Sequence, residues 1–161
     1  MAAVPLAYHI TFGTYGTRLH GDPRGTVDRR RNRPGEPIIG RQEAWQRVEA
    51  RKLKHPPILL SVPQRRHAEL AVPGLCRRGR WRLIEAACGV DHMHVVLSAG
   101  QEAKAIRRWL KRWLGEALSA RWPLPPGQSW WAKSGSIKWV WNRSYLHSVV
   151  DYVARQRASE T

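Results

Sequence analysis

The sequence predicts an α+β fold with an antiparallel sheet, in the element order βαββαβ with one added helix after it. Strand candidates carry apolar residues at every second position, and helix candidates carry them at every third or fourth. A short Gly-Val-Asp link joins the two middle strands and favours a hairpin between them. The length of 161 residues and the apolar content of 42% suit a single domain over residues 1–161.

The first strand candidate covers residues 6–15, which are rich in β-branched and aromatic residues. Tyr8, Ile10 and Phe12 fall on one face of this strand, and His9 falls on the other. Two interpretations of His9 stay open. It is either a hydrogen-bonded structural histidine or a residue that approaches a functional site from a neighbouring strand.

A basic excursion from the core is predicted from about residue 21 to residue 57, because Gly, Pro and Arg dominate there. It is either a variable surface loop or an electrostatic arm for the DNA backbone. Residues 43–53 within it are a candidate short helix.

The middle of the chain predicts a helix followed by the hairpin. The helix is expected over residues 61–78, with Ser61 as its N-cap and a kink or split at Pro73. Residues 80–89 indicate a strand that pairs antiparallel with a second strand over residues 90–98. We expect this hairpin at the centre of the sheet.

The clearest helix covers residues 101–121. Its apolar residues form a stripe that we expect to face the core, and its cations form the opposite face. The stripe consists of Ile106, Trp109, Leu110, Trp113, Leu114, Ala117 and Leu118. The cationic face is either a solvated surface or a row of phosphate contacts. Our candidates for nucleic-acid binding are Arg107, Arg108, Lys111 and Arg112 of this face, together with Arg155 near the end of the chain.

The last part of the chain predicts two extended segments between residues 130 and 142, of which residues 137–141 form the better strand. A final helix is expected over residues 145–156, with Ser144 as its N-cap. The resulting order is the ferredoxin-like βαββαβ arrangement with one added helix.

The chain is strongly basic, since 28 Lys and Arg against 12 Asp and Glu give a formal net charge of +16. Such a field attracts polyanions, which favours nucleic acid as the partner over an anionic membrane surface. The nine Trp residues add aromatic surfaces on which unpaired bases could stack, although most Trp residues in a small domain fill the core or line grooves. The combination of charge and Trp content favours a single strand as the partner. The two cysteines lack zinc or disulfide spacing, and neither a membrane-spanning run nor a signal-peptide pattern is present, so we expect a cytoplasmic protein that does not engage the membrane.

Residues 90–98, Val-Asp-His-Met-His-Val-Val-Leu-Ser, contain the motif on which the functional prediction depends. In a strand, His92 and His94 point to one face and Met93 points to the other. Two imidazoles on one face provide half of a site for a divalent metal, with room for a third ligand, water or phosphate. The alternative is a strand with two hydrogen-bonded structural histidines, and the spacing alone does not separate the two interpretations.

The final helix carries a second pair, because Tyr152 and Gln156 lie at positions i and i+4 of one face. The phenol of Tyr152 can act as a nucleophile, and the amide oxygen of Gln156 is a neutral metal ligand. Tyr145 is the rival nucleophile, but Val149 rather than an amide lies one turn beyond it.

The motif His92-Met93-His94, followed by Tyr152 and Gln156 on the last helix, resembles the single-tyrosine HUH transposases, which include the insertion-sequence and the REP-associated tyrosine transposases. The segments Ala-Tyr-His-Ile-Thr-Phe at 7–12 and Trp-Val-Trp-Asn at 139–142 are similar to that family as well. The resemblance covers nearly the whole chain except about residues 21–57, which depart from the compact family pattern.

The resemblance implies that His92, His94 and Gln156 bind magnesium or manganese and that Tyr152 cuts and rejoins single-stranded DNA through a 5′-phosphotyrosine. It also implies DNA substrates with hairpins, and it allows a homodimer. A basic nucleic-acid-binding or regulatory protein that retains the fold without turnover is the main alternative. A replication or relaxase-type initiator is disfavoured because such proteins usually carry further domains. A zinc hydrolase is disfavoured because it needs an acidic general base next to the histidines, and none is identified there from the sequence.

Overall fold

The computed structural model describes residues 3–17 and 53–157, which form a four-stranded antiparallel sheet with helices on both faces. The strands are β1 (Ala7–Gly13), β2 (Arg82–Cys88), β3 (His92–Ser98) and β4 (Ser136–Val140). The helices are α1 (Val62–Gly79), α2 (Ala103–Ser119) and α3 (Arg143–Ala154). The predicted α+β class and antiparallel sheet are therefore confirmed, whereas the predicted excursion and its candidate helix lie, up to residue 52, outside the described residues.

The order of strands in the sheet is β2-β3-β1-β4, so β1 and β3 are the central strands. The predicted pairing of β2 with β3 is confirmed, but the prediction that both lie at the centre is wrong, because β2 forms an edge. The first strand of the chain inserts between β3 and β4. In this register Thr11 lies opposite His94, and Gly13 lies opposite His92.

One face of the sheet packs against α1 and α2 and forms the larger core. Because side chains alternate along a strand, every second residue of β1 and β3 enters this core. The sheet contributes Tyr8, Ile10, Phe12, Met93, Val95 and Leu97, and the helices contribute Ala68, Val72, Ile106, Leu110, Leu114 and Leu118. Trp109 of the predicted apolar stripe is instead 38% exposed, and its ring packs beside Trp113 at the margin of the core.

The other face of the sheet packs against α3 through a smaller apolar cluster. Its buried members are Ala7, Ala87, Val96, Val140, Val149 and Val153. The remaining positions of β1 and β3 on this face are polar, and they include His9, Thr11, His92 and His94. The helix that carries Tyr152 therefore lies on the same side of the sheet as the two histidines of the motif.

The ends of the helices follow local capping chemistry. The predicted N-cap Ser61 accepts a hydrogen bond from the backbone N–H of Gln64, and α1 continues through Pro73 without the expected split. The predicted N-cap of the last helix is wrong, since the side chain of Asn142, two residues after the end of β4, accepts from the N–H of Tyr145 at 2.8 Å. Within residues 3–17 and 53–157, no helix is long and apolar enough to cross a bilayer.

Candidate active site

The candidate site lies on the α3 side of the sheet, where β3 presents His92 and His94 and the neighbouring strand β1 presents His9 and Thr11. The ring centroids of His92 and His94 are 4.7 Å apart, and the ring planes are almost perpendicular at 88°. His94 is only 4% exposed, while the side chain of His92 is 19% exposed. The two imidazoles therefore meet at the boundary between the sheet interior and solvent.

His94 is held by two polar side chains of β1. Its Nδ1 lies 3.0 Å from His9 Nε2 and 3.0 Å from Thr11 Oγ1, and these two atoms are themselves 3.3 Å apart. Thr11 is the direct cross-strand partner of His94, and His9 is a diagonal neighbour. Contacts at Nδ1 fix the ring orientation of a histidine, so Nε2 is the nitrogen of His94 that would coordinate a metal.

His9 is 6% exposed, and its environment keeps the imidazole neutral. Burial, followed by the positive charge of Lys138 on β4, lowers the pKa of His9 to about 4 from an ordinary value of 6.5. A neutral His9 contacts Nδ1 of His94 without adding charge repulsion to the site. The sequence left two interpretations of His9 open. In the structure His9 lies on the neighbouring strand and contacts His94, the predicted metal ligand.

His92 is oriented by Asp91 and has its ring against Gly89. The carboxylate oxygen Oδ1 of Asp91 lies 2.6 Å from His92 Nδ1. A Cβ atom at Gly89 would come within 2.9 Å of His92 Cε1, so only glycine leaves space for this ring position. Carboxylates that accept from one nitrogen of a histidine characteristically orient the other nitrogen toward a metal.

Sequence reasoning missed Asp91 and Thr11 as site residues. A zinc hydrolase was disfavoured for lack of an acidic general base next to the histidines, and Asp91 is an acidic residue that directly precedes His92 and contacts it. Its carboxylate is engaged with an imidazole, which is the contact of an orienting group rather than of a general base facing solvent. The Asp-His adjacency in the sequence was the signal that could have identified it.

Tyr152 is the residue of α3 that reaches the histidines. Its ring centroid lies 5.6 Å from that of His94 and 6.3 Å from that of His9, both in edge-to-face geometry. Tyr152 is nevertheless 45% exposed, so the residue is accessible to a substrate from solvent. Tyr145, the rival candidate, lies in the first turn of α3 and is 37% exposed.

Gln156 lies just after α3 rather than within it, since the helix ends at Ala154. Its backbone N–H donates to Val153 O at 2.9 Å, and its side-chain Nε2 donates to Tyr152 O at 3.4 Å. The predicted proximity of the amide to the tyrosine is therefore present, but a turn rather than a regular helix positions the amide.

Two arginines attach this turn to the rest of the domain. Arg65 of α1 donates through Nε to Cys88 O at 2.8 Å and through Nη2 to Gln156 O at 3.5 Å. Arg157 forms an ion pair with Glu85 of β2. These contacts hold the end of the tyrosine-bearing helix against the edge of the sheet.

The predicted cationic face of α2 does not face the candidate site, because α2 covers the opposite side of the sheet. Arg107 donates to Gly135 O at 3.0 Å, and Lys111 donates through Nζ to Ala132 O at 2.5 Å and Ser134 O at 3.1 Å. Burial lowers the pKa of Lys111 below its ordinary value. These two cations therefore fix the segment before β4.

The other predicted nucleic-acid contacts are distributed over two surfaces. Arg112 is exposed and forms an i,i+4 ion pair with Glu116 at 3.3 Å, and Arg108 is exposed on the same helix. Arg155 is exposed at the end of α3, on the side of the sheet that carries Tyr152. Of the five cations selected from the sequence, Arg155 is the one that lies on the site-bearing face.

The donor set of the site has the chemistry of a partial metal site. Within residues 3–17 and 53–157, no group of three or more His, Cys, Asp or Glu residues is placed to hold a metal ion. His92 and His94 supply two imidazoles whose Nδ1 atoms are engaged by Asp91 and by Thr11 and His9. This set fits a divalent ion that takes its remaining ligands from an amide oxygen, water or a substrate phosphate.

Comparison with known proteins gives structural matches without close sequence relatives. No family model matches the chain, and no curated protein matches it. A crystal structure of a candidate transposase from Deinococcus radiodurans R1 matches with 14% identity and a TM-score of 0.50, covering 98% of this chain and 95% of that protein. A REP-associated tyrosine transposase bound to a REP hairpin matches with 12% identity and a TM-score of 0.48, covering 95% of this chain and 67% of that one. The chain thus shares its fold with the Deinococcus protein.

Proposed function

We propose that the chain is a transposase-type enzyme that cuts and rejoins single-stranded DNA, with Tyr152 as the nucleophile. The observation that carries this proposal is the position of Tyr152, whose exposed ring contacts the buried His94 edge-to-face at 5.6 Å. An exposed phenol beside paired imidazoles suits attack on a phosphodiester that those groups help to bind. The net charge of +16 supports a polyanionic substrate.

In the proposed reaction the phenolic oxygen of Tyr152 attacks phosphorus in line and the bond to the 3′ oxygen breaks. The tyrosine loses its proton, the departing 3′ oxygen gains one, and the DNA is held as a 5′-phosphotyrosine. An incoming 3′-hydroxyl reverses these steps and reseals a strand. Because the energy of the broken bond is kept in the phosphotyrosine, joining needs no nucleotide cofactor.

We further propose that His92, His94 and Gln156 hold one magnesium or manganese ion. When bound, the ion supplies positive charge at the oxygens of the scissile phosphate. Asp91, Thr11 and His9 act as positioning residues, since each engages Nδ1 of a proposed ligand. Their contribution is a donor pair that is oriented before substrate arrives.

The contact between Tyr152 and His94 is made within one chain, which favours a tyrosine that acts on the site of its own protomer. The proposed substrates are single strands that carry hairpins, as the family resemblance implies. A homodimer is therefore compatible with this arrangement but is not required to assemble the site.

The test is covalent capture of labelled, hairpin-flanked single strands in the presence of manganese, read on a denaturing gel. We expect a protein–DNA adduct that disappears in Tyr152→Phe and persists in Tyr145→Phe. Tyr145 is the matched control because it lies on the same helix as Tyr152. Adduct that follows Tyr145 instead would reassign the nucleophile, and tight DNA binding without any adduct would favour the non-catalytic binder.

A further inference from the structure

We propose that the β4 edge of the sheet is a stacking site for unpaired bases of a single-stranded nucleic acid, built on Trp139 and Trp141. The choice of nucleic acid as ligand rests on the proposed function, whereas the surface itself is defined by exposure and charge. We call this surface the Trp platform. It is separate from the histidines and from Tyr152.

The two rings are exposed to an extent that is unusual for tryptophan. Trp139 is 57% exposed and Trp141 is 49% exposed, and their centroids are 5.9 Å apart. Leu6, also exposed, lies just before β1, whose first residue Ala7 pairs with Val140 between the two Trp residues. Contiguous exposed apolar surface on a small domain marks an interaction site.

The platform is built on rigid backbone. Trp139 is the cross-strand partner of Tyr8, and the two rings make an edge-to-face contact at 6.5 Å. Leu6 N–H donates to Val140 O at 2.8 Å, which extends the pairing of β1 and β4 by one residue. Aromatic rings held on paired strands can accept a base without a large loss of conformational entropy.

The charge around the platform distinguishes a nucleic acid from a protein partner. The sequence contains no Asp or Glu from residue 117 to residue 150, whereas Arg121, Lys133, Lys138 and Arg143 fall within it. Lys138 directly precedes Trp139, and Arg143 lies two residues after Trp141; both are exposed. Protein interfaces are depleted of charge at their centres, while single-strand sites interleave aromatic rings with cations.

The platform also adjoins the candidate active site through β4. Lys138 points to the face of β4 opposite Trp139, and its cross-strand partner is His9. A strand whose bases stack on the Trp rings could therefore pass its phosphates by Lys138 toward the face that carries Tyr152. The platform would act as a holding point beside the site of cleavage.

The test measures the affinity of the full chain for a labelled oligothymidylate by fluorescence anisotropy at several salt concentrations. In Trp139→Leu/Trp141→Leu we expect affinity to fall about tenfold or more, because each stacked base contributes appreciably. The salt dependence should stay unchanged, since stacking releases no counterions. In Lys138→Gln/Arg143→Gln the slope of affinity against salt should instead become shallower, by about one on logarithmic axes.

Trp109→Leu is the matched control, because Trp109 is an exposed tryptophan that lies on α2, away from the Trp platform. The affinity of this variant for the oligothymidylate should equal that of the parent chain. Circular dichroism and sedimentation of each variant establish that the fold is retained. Parent-like affinity in the double Trp variant would overturn the proposal. So would a change of that variant from dimer to monomer without loss of affinity, which would assign the surface to a second copy of the chain.

Adduct formation separates this inference from the proposed function. If the parent chain forms no covalent adduct but the double Trp variant binds more weakly, the stacking site stands and the enzyme proposal fails. If the adduct forms and both chains bind equally, the enzyme proposal stands and the stacking site fails.

Discussion

The Nε2 atom of His9 lies 3.0 Å from the Nδ1 atom of His94, although the two residues are 85 positions apart in the chain. The contact joins the central strands directly beneath the ring of Tyr152. It makes His9 a positioning residue for the imidazole that we propose as a metal ligand.

Replacing His9 by Phe should therefore weaken manganese binding by about tenfold, because the variant keeps an aromatic ring but removes the nitrogen that contacts His94. Calorimetric titration of manganese into the DNA-free protein measures this directly. His9→Asn restores a polar side chain and should recover part of the affinity. A folded His9→Phe variant with unchanged manganese affinity would contradict the role.

The same residue predicts how the stability of the metal-free protein depends on pH. The unfolded chain takes up a proton on His9 near pH 6.5, while burial delays that protonation to about pH 4 in the folded protein. Acidification from pH 7 to pH 4 therefore favours the unfolded state, and we expect a loss of about 2 to 3 kcal/mol in the free energy of unfolding. Urea titrations of the parent chain and of His9→Phe measure this loss. Because the variant lacks the imidazole, the free energy of unfolding of the parent should fall relative to that of the variant as the pH is lowered.

Gly89→Ala tests the placement of His92. The added methyl group would lie 2.9 Å from Cε1, so the ring must rotate away from Asp91. We expect reduced manganese affinity with little change in the amount of folded protein, because only the partly buried side chain of His92 has to move. Asp91→Asn removes the carboxylate without adding bulk and should weaken metal binding in the same direction. Metal affinity that survives both changes would show that the His92 orientation is unimportant.

Lys111 is a cation with a structural role, whereas Arg108 is a solvent-exposed cation on the same helix. Substitutions at the two positions should therefore change stability to different extents. Lys111→Met removes two hydrogen bonds to the backbone carbonyl groups of Ala132 and Ser134, which should lower the free energy of unfolding by about 1 to 3 kcal/mol. Arg108 is exposed on the same helix, and Arg108→Gln should change stability by less than about 0.5 kcal/mol. Urea unfolding of both variants tests the distinction. Equal stability of the two would show that the Lys111 contacts are not significant.

The alternation of side chains made the faces of β1 and β3 predictable. Placing Tyr8, Ile10 and Phe12 in the core, and His9 with Thr11 opposite them, needs only the period of a strand. The contact of His9 with His94 was not predictable, because no local pattern states that β1 lies beside β3. The sequence could offer His9 only as a candidate.

Local patterns also left open how polar groups are used. Helical periodicity identified the cations of α2 as one face, but it could not show that the segment before β4 crosses that face and engages Arg107 and Lys111. Asn142 and Ser144 are both good N-caps, and the choice between them depends on where β4 ends. These outcomes follow from tertiary packing, which propensity does not encode.

The period of two in β1 and β3 restricts how chains of this architecture can change in length. Inserting or deleting one residue within either strand would exchange the two faces of that strand beyond the change. Histidine side chains would then point into the hydrophobic core, and aliphatic side chains would point toward the candidate site. Such an insertion or deletion would therefore disrupt both the hydrophobic core and the candidate active site. We expect changes in length to be tolerated better between the regular elements, as in the long stretch of sequence that links β1 to α1.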